Sequence, residues 1–306
     1  MRVRILGSAA GGGFPQWNCN CPNCHAVRIG SLSCWPRTQS SIVVSADERH
    51  WFLFNASPDI HRQIYAFPAL WPRVEVRHTP IQGVVLSDAE LDHTLGLLSL
   101  REAGRLSVYA TGWVYTALNE RNPLLRTLRN YCTVEWHPVQ LMQSMALSLA
   151  HGADSGLRCQ AFTTHSTKVA TFAGGSLPDP EASVGYRISD IATGSTLVYL
   201  PAVQELHSEV QNQLHDCSCL LIDGTCWNDD ELVQLGIGSK TARDMGHLPI
   251  AGDEGSLEGL AALDVRRIIY IHINNTNPIL IDDSVQRQTI EAHGIEVAFD
   301  GMELEV

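Results

Sequence analysis

Four side chains able to bind a metal ion or move a proton stand within six positions of the chain. The stretch GVVLSDAELDHTLGLL begins as an apolar strand and ends as a helix, and it contains Asp88, Glu90, Asp92 and His93. Carboxylates and an imidazole at a strand end can face one cleft and bind a divalent cation. Helix capping by Asp88 or Asp92 explains one acidic residue but not the whole group.

Two more such residues follow apolar strands later in the chain. Asp223 ends the stretch LLIDG, and His272 lies in IIYIHINNTNP. We expect these two residues to share the cleft with the earlier group. The six residues Asp88, Glu90, Asp92, His93, Asp223 and His272 are therefore the predicted catalytic residues.

A second metal-binding pattern lies near the start of the chain. The stretch CNCPNC places Cys19, Cys21 and Cys24 on a tight turn, where three thiolates can bind one zinc ion at about 2.3 Å. The nine cysteines are an odd number, which does not suit a framework of disulfides. The alternative is three ordinary buried cysteines. The candidates for the fourth zinc ligand are His25, His247 and Asn275.

Short β-type stretches run through the whole sequence, and helical patterns lie between some of them. The pattern is rich in hairpins in places and alternates strand and helix in others, which favours an α/β fold with two mixed sheets and outer helices. No linker or repeat divides the chain, so we expect one domain over residues 1–306. The segment 173–182 is the predicted exposed loop. Helices are expected around 59–67, 92–103, 113–128, 204–215 and 281–293.

Composition excludes several classes of partner. The 306 residues are 44% hydrophobic and 18% charged, with a net charge of −12, which gives no basic surface for nucleic acid. No run of 18 apolar residues predicts a membrane span, and the first residues lack the apolar core of a signal peptide. We therefore expect a cytoplasmic protein that acts on small molecules or proteins.

The stretch SDAELDHTLGL resembles the metallo-β-lactamase superfamily motif H-x-H-x-D-H-x-x-G-L with its first two histidines replaced. Asp88 and Glu90 stand in place of those histidines, whereas Asp92, His93 and Gly96 match. Asp223 and His272 correspond to the bridging aspartate and the final histidine. The resemblance implies an αβ/βα four-layer sandwich and an active-site metal on Asp92, His93, Asp223 and His272.

A closer resemblance, over essentially the whole chain, is to the pyrroloquinoline quinone (PQQ) biosynthesis protein B family. The stretches RILGSAAGGGFPQWNCNCPNC, FNASPDI, SDAELDHTLGLL and DMGHLPI carry it. This resemblance implies a part in making PQQ, with two functions ascribed to the family. One is an iron-dependent oxygenase that hydroxylates the tyrosine ring of a glutamyl-tyrosine intermediate, and the other is a carrier of the product.

Departures from the superfamily motif favour the oxygenase. Asp88 and Glu90 cannot supply imidazole to a first metal ion, and His165 is a weak candidate for the third ligand of that ion. Two histidines and one carboxylate with open positions suit Fe(II) and O₂. A metal-dependent hydrolase and a PQQ-binding carrier are the alternatives. The expected partners are a tyrosine-containing dipeptide or PQQ precursor, O₂ and other PQQ biosynthesis proteins, with Arg243 or His247 binding substrate carboxylates.

Overall fold

Two seven-stranded β-sheets form the centre of this computed structural model, which describes residues 1–73, 75–174, 177–252, 254–261 and 263–306. The described strands are β1 (Arg2–Gly7), β2 (Ser41–Ser45), β3 (Trp51–Phe54), β4 (Ile81–Val85), β5 (Arg105–Thr111), β6 (Thr133–Val139), β7 (Ser144–Ser148), β8 (Asp154–Thr163), β9 (Val184–Asp190), β10 (Thr196–Leu200), β11 (Cys219–Asp223), β12 (Ile268–Ile271), β13 (Ile295–Val297) and β14 (Glu303–Glu305).

Short helices connect many of these strands. The described α-helices are α1 (Pro22–Ile29), α2 (Ile60–Tyr65), α3 (Leu91–Thr94), α4 (Gly112–Thr116), α5 (Leu124–Leu128), α6 (Ser208–Leu214), α7 (Glu231–Gln234), α8 (Ser256–Ala261) and α9 (Val285–Ala292). The 3₁₀ segments are Pro68–Leu70, Leu95–Ala103, Arg243–Met245 and Pro278–Leu280, and a π-helical turn covers Ala117–Arg121. Among these described helices, none is both long and apolar enough to span a bilayer.

Both sheets mix parallel and antiparallel neighbours. The first sheet has the order β14-β1-β2-β3-β4-β5-β6, and its strands from β3 to β6 run parallel. The second sheet has the order β13-β12-β11-β10-β9-β8-β7, and β10 to β13 are parallel. Because parallel neighbours end at the same edge, the residues that follow β11 and β12 come together.

The main hydrophobic core lies between the two sheets. Phe54 of the first sheet packs edge-to-face against Tyr186 and Tyr199 of the second, with ring centroids 5.7 and 6.0 Å apart. Two further buried clusters cover the outer faces, where helices pack on each sheet. Helix, sheet, sheet and helix therefore form four layers, which confirms the predicted αβ/βα sandwich.

Most predicted elements match the structure, but helices α1, α7 and α8 and a few strands were not expected. The helix expected around 113–128 is divided into α4, a π-helical turn and α5. Strands β6, β7 and β14 were not expected, since β6 contains Pro138 and β14 has only three residues. The expected loop 173–182 is exposed over 177–180 and buried at Ala173 and Ala182, and residues 175 and 176 lie outside the described residues.

Candidate metal centre

Strand ends from both sheets bring two histidines and a carboxylate together. Asp92 and His93 lie in α3, shortly after β4, and His272 directly follows β12. Atom Oδ2 of Asp92 lies 3.2 Å from Nε2 of His272 and 3.8 Å from Nε2 of His93. We call Asp92, His93 and His272 the cleft cluster, and their three ligand atoms lie within 4.8 Å of one another.

A close backbone contact fixes the position of α3. The amide of Ala56 donates to the carbonyl of His93 at 2.7 Å, and the amide of Gly96 donates to the carbonyl of Ala56 at 2.9 Å. A Cβ atom at Gly96 would lie 2.1 Å from the carbonyl oxygen of Ser57. Only glycine therefore permits this approach, which explains the glycine three positions after His93.

Asp88 fixes the orientation of the His93 ring. Nδ1 of His93 lies 2.7 Å from Oδ2 of Asp88, and both side chains are buried. A carboxylate accepts only, so Nδ1 carries a proton and Nε2 faces the cleft cluster. Burial opposes charge on the ring, but the carboxylates of Asp88 and Asp92 outweigh it and raise the pKa of His93 to about 9.

Thr225 fixes the ring of His272 in the same sense. The Thr225 hydroxyl donates to Oδ1 of Asp223 at 2.6 Å, which leaves its oxygen free to accept from Nδ1 of His272 at 2.9 Å. With its proton on Nδ1, His272 also directs Nε2 at Asp92. Two imidazole nitrogens and a carboxylate oxygen therefore point at one another.

Asp223 is engaged with His247. Oδ2 of Asp223 accepts from Nδ1 of His247 at 2.8 Å and from the amide of Val203 at 3.1 Å. Burial works against ionisation, yet His247 lowers the pKa of Asp223. The His247 ring stacks on that of His272, with centroids 5.1 Å apart. Asp223, His247 and His272 form a second group of three potential ligands. Asp223 therefore lies beside the cleft, in contact with His247.

The donor set of the cleft cluster fits a divalent cation. Nε2 of His93 is buried and has no hydrogen-bond partner in the described part of the chain. An unpaired buried nitrogen is costly, and a cation placed between Nε2 of His93, Nε2 of His272 and the Asp92 carboxylate would satisfy it.

The residues at the superfamily's first-metal positions have other partners. Asp88 binds His93, and the carboxylate of Glu90 contacts the ammonium of Lys168 at 3.3 Å and the hydroxyl of Thr171 at 2.8 Å. Nε2 of His165 lies 2.6 Å from the carboxylate of Glu209. None of these residues belongs to a metal-capable group within the described residues.

A cavity of about 270 Å³ opens on the cleft cluster. Trp113 and Phe172 give it aromatic walls, and Lys168 and Lys240 bring positive charge. Sequence reasoning missed these four residues because they lie in segments without a metal-binding pattern. Arg243 is not among the described residues that line the cavity, and its guanidinium lies 3.2 Å from the carbonyl oxygen of Glu254.

The three cysteines of the CNCPNC stretch also come together. Cys19, Cys21 and Cys24, which we call the three-cysteine cluster, place their sulfur atoms within 4.8 Å of one another. Four ligands at 2.3 Å from a tetrahedral zinc ion would be roughly 3.8 Å apart. Small shifts of the sulfur atoms would therefore be enough to bind zinc. Burial, with a contribution from Cys21, raises the pKa of Cys24 to about 12. Bound zinc would therefore have to displace a proton from this thiol.

Asn275 is the fourth-ligand candidate that lies against the three-cysteine cluster. Its side-chain amide lies 3.2, 3.5 and 3.3 Å from the sulfurs of Cys19, Cys21 and Cys24. A half-turn of the amide would place its oxygen there instead. His25 is exposed on α1, and His247 lies beside Asp223.

Comparisons with known proteins agree with this fold. The profile of the Beta-lactamase superfamily domain matches residues 50–273. Coenzyme PQQ synthesis protein B from Methylobacillus flagellatus is 44% identical over 305 residues and covers 99% of both chains. The protein of the same name from Azotobacter vinelandii is 45% identical over 307 residues and covers 100% of both.

Solved structures also share this fold. The crystal structure of Zn(2+)-bound PqqB from Methylobacterium extorquens has a TM-score of 0.91 and 37% identity, with 100% of each chain covered. A diphosphatase of the PhnP family has a TM-score of 0.68 at 19% identity, covering 100% of this chain and 97% of the other, which shows a shared fold alone.

The fold and the matching profile define a member of the beta-lactamase superfamily. Within that superfamily, the chain belongs to the coenzyme PQQ synthesis protein B family, since its relatives match over the full length.

Proposed function

We propose that this protein takes part in PQQ biosynthesis as an iron-dependent oxygenase that hydroxylates the tyrosine ring of a glutamyl-tyrosine intermediate. The names of its relatives support the pathway. The observation that carries the reaction is the cleft cluster, in which two Nε2 atoms and one carboxylate oxygen converge beside a cavity. This ligand set is typical of non-haem Fe(II) oxygenases.

Residues around the cleft cluster have distinct parts in this proposal. Fe(II) held by Asp92, His93 and His272 would supply the redox chemistry that O₂ requires to react with a closed-shell ring. Asp88 keeps the His93 proton on Nδ1, and Asp223 acts on the site through Thr225 and His247. Glu90 lines the cavity, where its carboxylate can accept the proton of a phenol.

Trp113 and Phe172 would hold the ring of the substrate. Both side chains line the cavity, and aromatic side chains pack well against a phenol ring. The cavity has a volume of about 270 Å³ and is lined by residues of the cleft cluster, so a ring held between these aromatic side chains would lie beside the metal-binding residues.

The three-cysteine cluster has a separate part in the proposal. We infer that it binds one structural zinc ion with Asn275 as the fourth ligand. The amide position against all three sulfurs supports this choice. A closed set of four ligands leaves no position for a substrate, which is typical of structural zinc.

Anaerobic loading with Fe(II) tests the oxygenase. O₂ is then added with glutamyl-tyrosine, with ascorbate as the electron donor, and the products are identified by mass spectrometry. We expect a gain of one oxygen atom per ring with Fe(II), with the second oxygen atom reduced to water, and no gain with Zn(II), which lacks redox chemistry. Ester cleavage with Zn(II) would instead support a hydrolase, and PQQ binding without turnover would support a carrier.

A further inference from the structure

Lysine is confined to one place in this molecule. The chain has 21 lysine and arginine residues, of which only Lys168 and Lys240 are lysines. Both line the cavity beside the cleft cluster. Every other cationic position in the chain uses arginine, so the cavity wall differs in chemistry from the rest of the protein. An ammonium group is compact and carries a concentrated charge, which suits a cavity of this size.

Several contacts hold Lys168 in its place. A Cβ atom at Gly246 would lie 2.9 Å from Cδ of Lys168, so glycine leaves the room that the lysine stem occupies. The side-chain oxygen of Gln204 accepts from the amide of Thr167 at 2.7 Å, which fixes the backbone beside the lysine. The side chain of Lys168 is 28% exposed, and it reaches Glu90. Its ammonium is therefore held at the cavity wall and still meets solvent.

Glu90 uses only part of the capacity of the Lys168 ammonium. The ammonium has three donors, and its contact with Glu90 at 3.3 Å accounts for one. The hydroxyl of Thr171 also donates to Glu90, at 2.8 and 2.9 Å from its two oxygens. A second carboxylate can therefore join Lys168 or replace Glu90 as its partner. Lys240 is exposed and adds a second cation at the rim.

We propose that Lys168 and Lys240 bind carboxylate groups of the substrate and select an acidic tyrosyl peptide, with Lys168 as the inner contact and Lys240 at the rim. The net charge of −12 repels such a peptide at long range, so binding requires local cations. The proposal rests on the proposed function for the class of peptide, but the binding itself does not depend on turnover.

Calorimetry on the Zn(II)-loaded protein tests the proposal without turnover. The two probes are glutamyl-tyrosine and glutaminyl-tyrosine amide, an analogue that keeps the amino group but lacks both carboxylates. We expect the wild type to bind the acidic peptide at least tenfold more tightly, because hydrogen bonds to charged groups are the stronger class. Lys168→Met should remove about tenfold of this preference, and Lys240→Met about threefold, since exposed charges are screened. Glu90→Gln should strengthen binding of the acidic peptide, because it removes the competing carboxylate.

Two control variants separate charge from folding. Lys168→Arg keeps the charge and should retain most of the preference. Arg49→Met removes an exposed cation that does not line the cavity and should change nothing. Thermal unfolding checks that each variant is folded. Equal binding of both peptides by the wild type, no binding of either, or an unchanged preference in Lys168→Met would overturn the proposal. A retained preference without iron-dependent oxidation would refute the proposed reaction and leave this inference standing.

Discussion

The three-cysteine cluster and the cleft cluster are both suited to a metal, yet they differ in how the chain builds them. The three sulfurs come from one turn of six residues, and the amide of Asn275 covers them. The cleft cluster combines Asp92 and His93 of α3, which follows strand β4 of the first sheet, with His272, which follows strand β12 of the second sheet. It faces a cavity. Closed sites suit structural metals and open sites suit catalysis. The difference therefore separates a site for stability from a site for chemistry.

Substitution in the three-cysteine cluster should have the largest effect on stability. Structural zinc supplies on the order of 10 kcal/mol in small zinc domains. We therefore expect Cys21→Ser to lose one zinc ion per chain and to lower the free energy of unfolding by several kcal/mol. Elemental analysis and urea unfolding measure both. Cys132→Ser, a buried thiol outside the cluster, should keep the zinc. Unchanged zinc content in Cys21→Ser would show that the three-cysteine cluster does not bind the zinc ion.

Substitution in the cleft cluster should affect activity more than stability. His272→Ala removes one of three ligands, so we expect loss of the cleft metal and at least a hundredfold loss of iron-dependent oxidation, while the zinc of the three-cysteine cluster stays bound. Metal content and product formation are measured on the same sample. His207→Ala, a half-exposed histidine paired with Glu205, is the matched control and should keep both. Full oxidation by His272→Ala would show that the cleft cluster is not the reacting site.

The pH dependence of metal binding distinguishes the two clusters by a smaller effect. The pKa of His93 is raised to about 9, so a proton competes with the metal for Nε2 below that pH. The affinity of the cleft for Zn(II) should therefore rise about tenfold from pH 7 to pH 8 and level off above pH 9. Asp88→Asn removes the first charge that raises the pKa of His93, so the rise should end at a lower pH. Asp179→Asn, which changes another cavity carboxylate, should leave the profile as it is. A flat profile in the wild type would contradict the role given to Asp88.

Local spacing in the sequence predicts the three-cysteine cluster but not the cleft cluster. Cys19, Cys21 and Cys24 are neighbours in the chain, so their spacing alone predicts a shared site. Asp92 and His272 are 180 positions apart, and their proximity follows from the superfamily motif and not from local spacing. The bond from Asp88 to His93 was not predicted, because it depends on the way α3 turns back over the strand end. Lys168 was missed because a single lysine in a loop has no periodicity.

The central strands of the two sheets were predicted more completely than the strands at the sheet edges. Strand β11 is buried throughout and β4 is buried except at Gln82, so their composition identifies them. Strand β6 is half-exposed and contains Pro138. Strand β7 is an edge strand in which only Leu147 of the five residues is buried. Strands with such weak sequence patterns are identified only from their pairing with a neighbouring strand.

The origin of the cleft cluster on two sheets has a mechanical consequence. An ion held by Asp92 and His272 would cross-link residues 180 positions apart and tie the two halves of the sandwich together. Release of the ion would loosen the contact between the two sheets at this edge of the sandwich, so the same ion would affect both the chemistry of the cleft and its local rigidity.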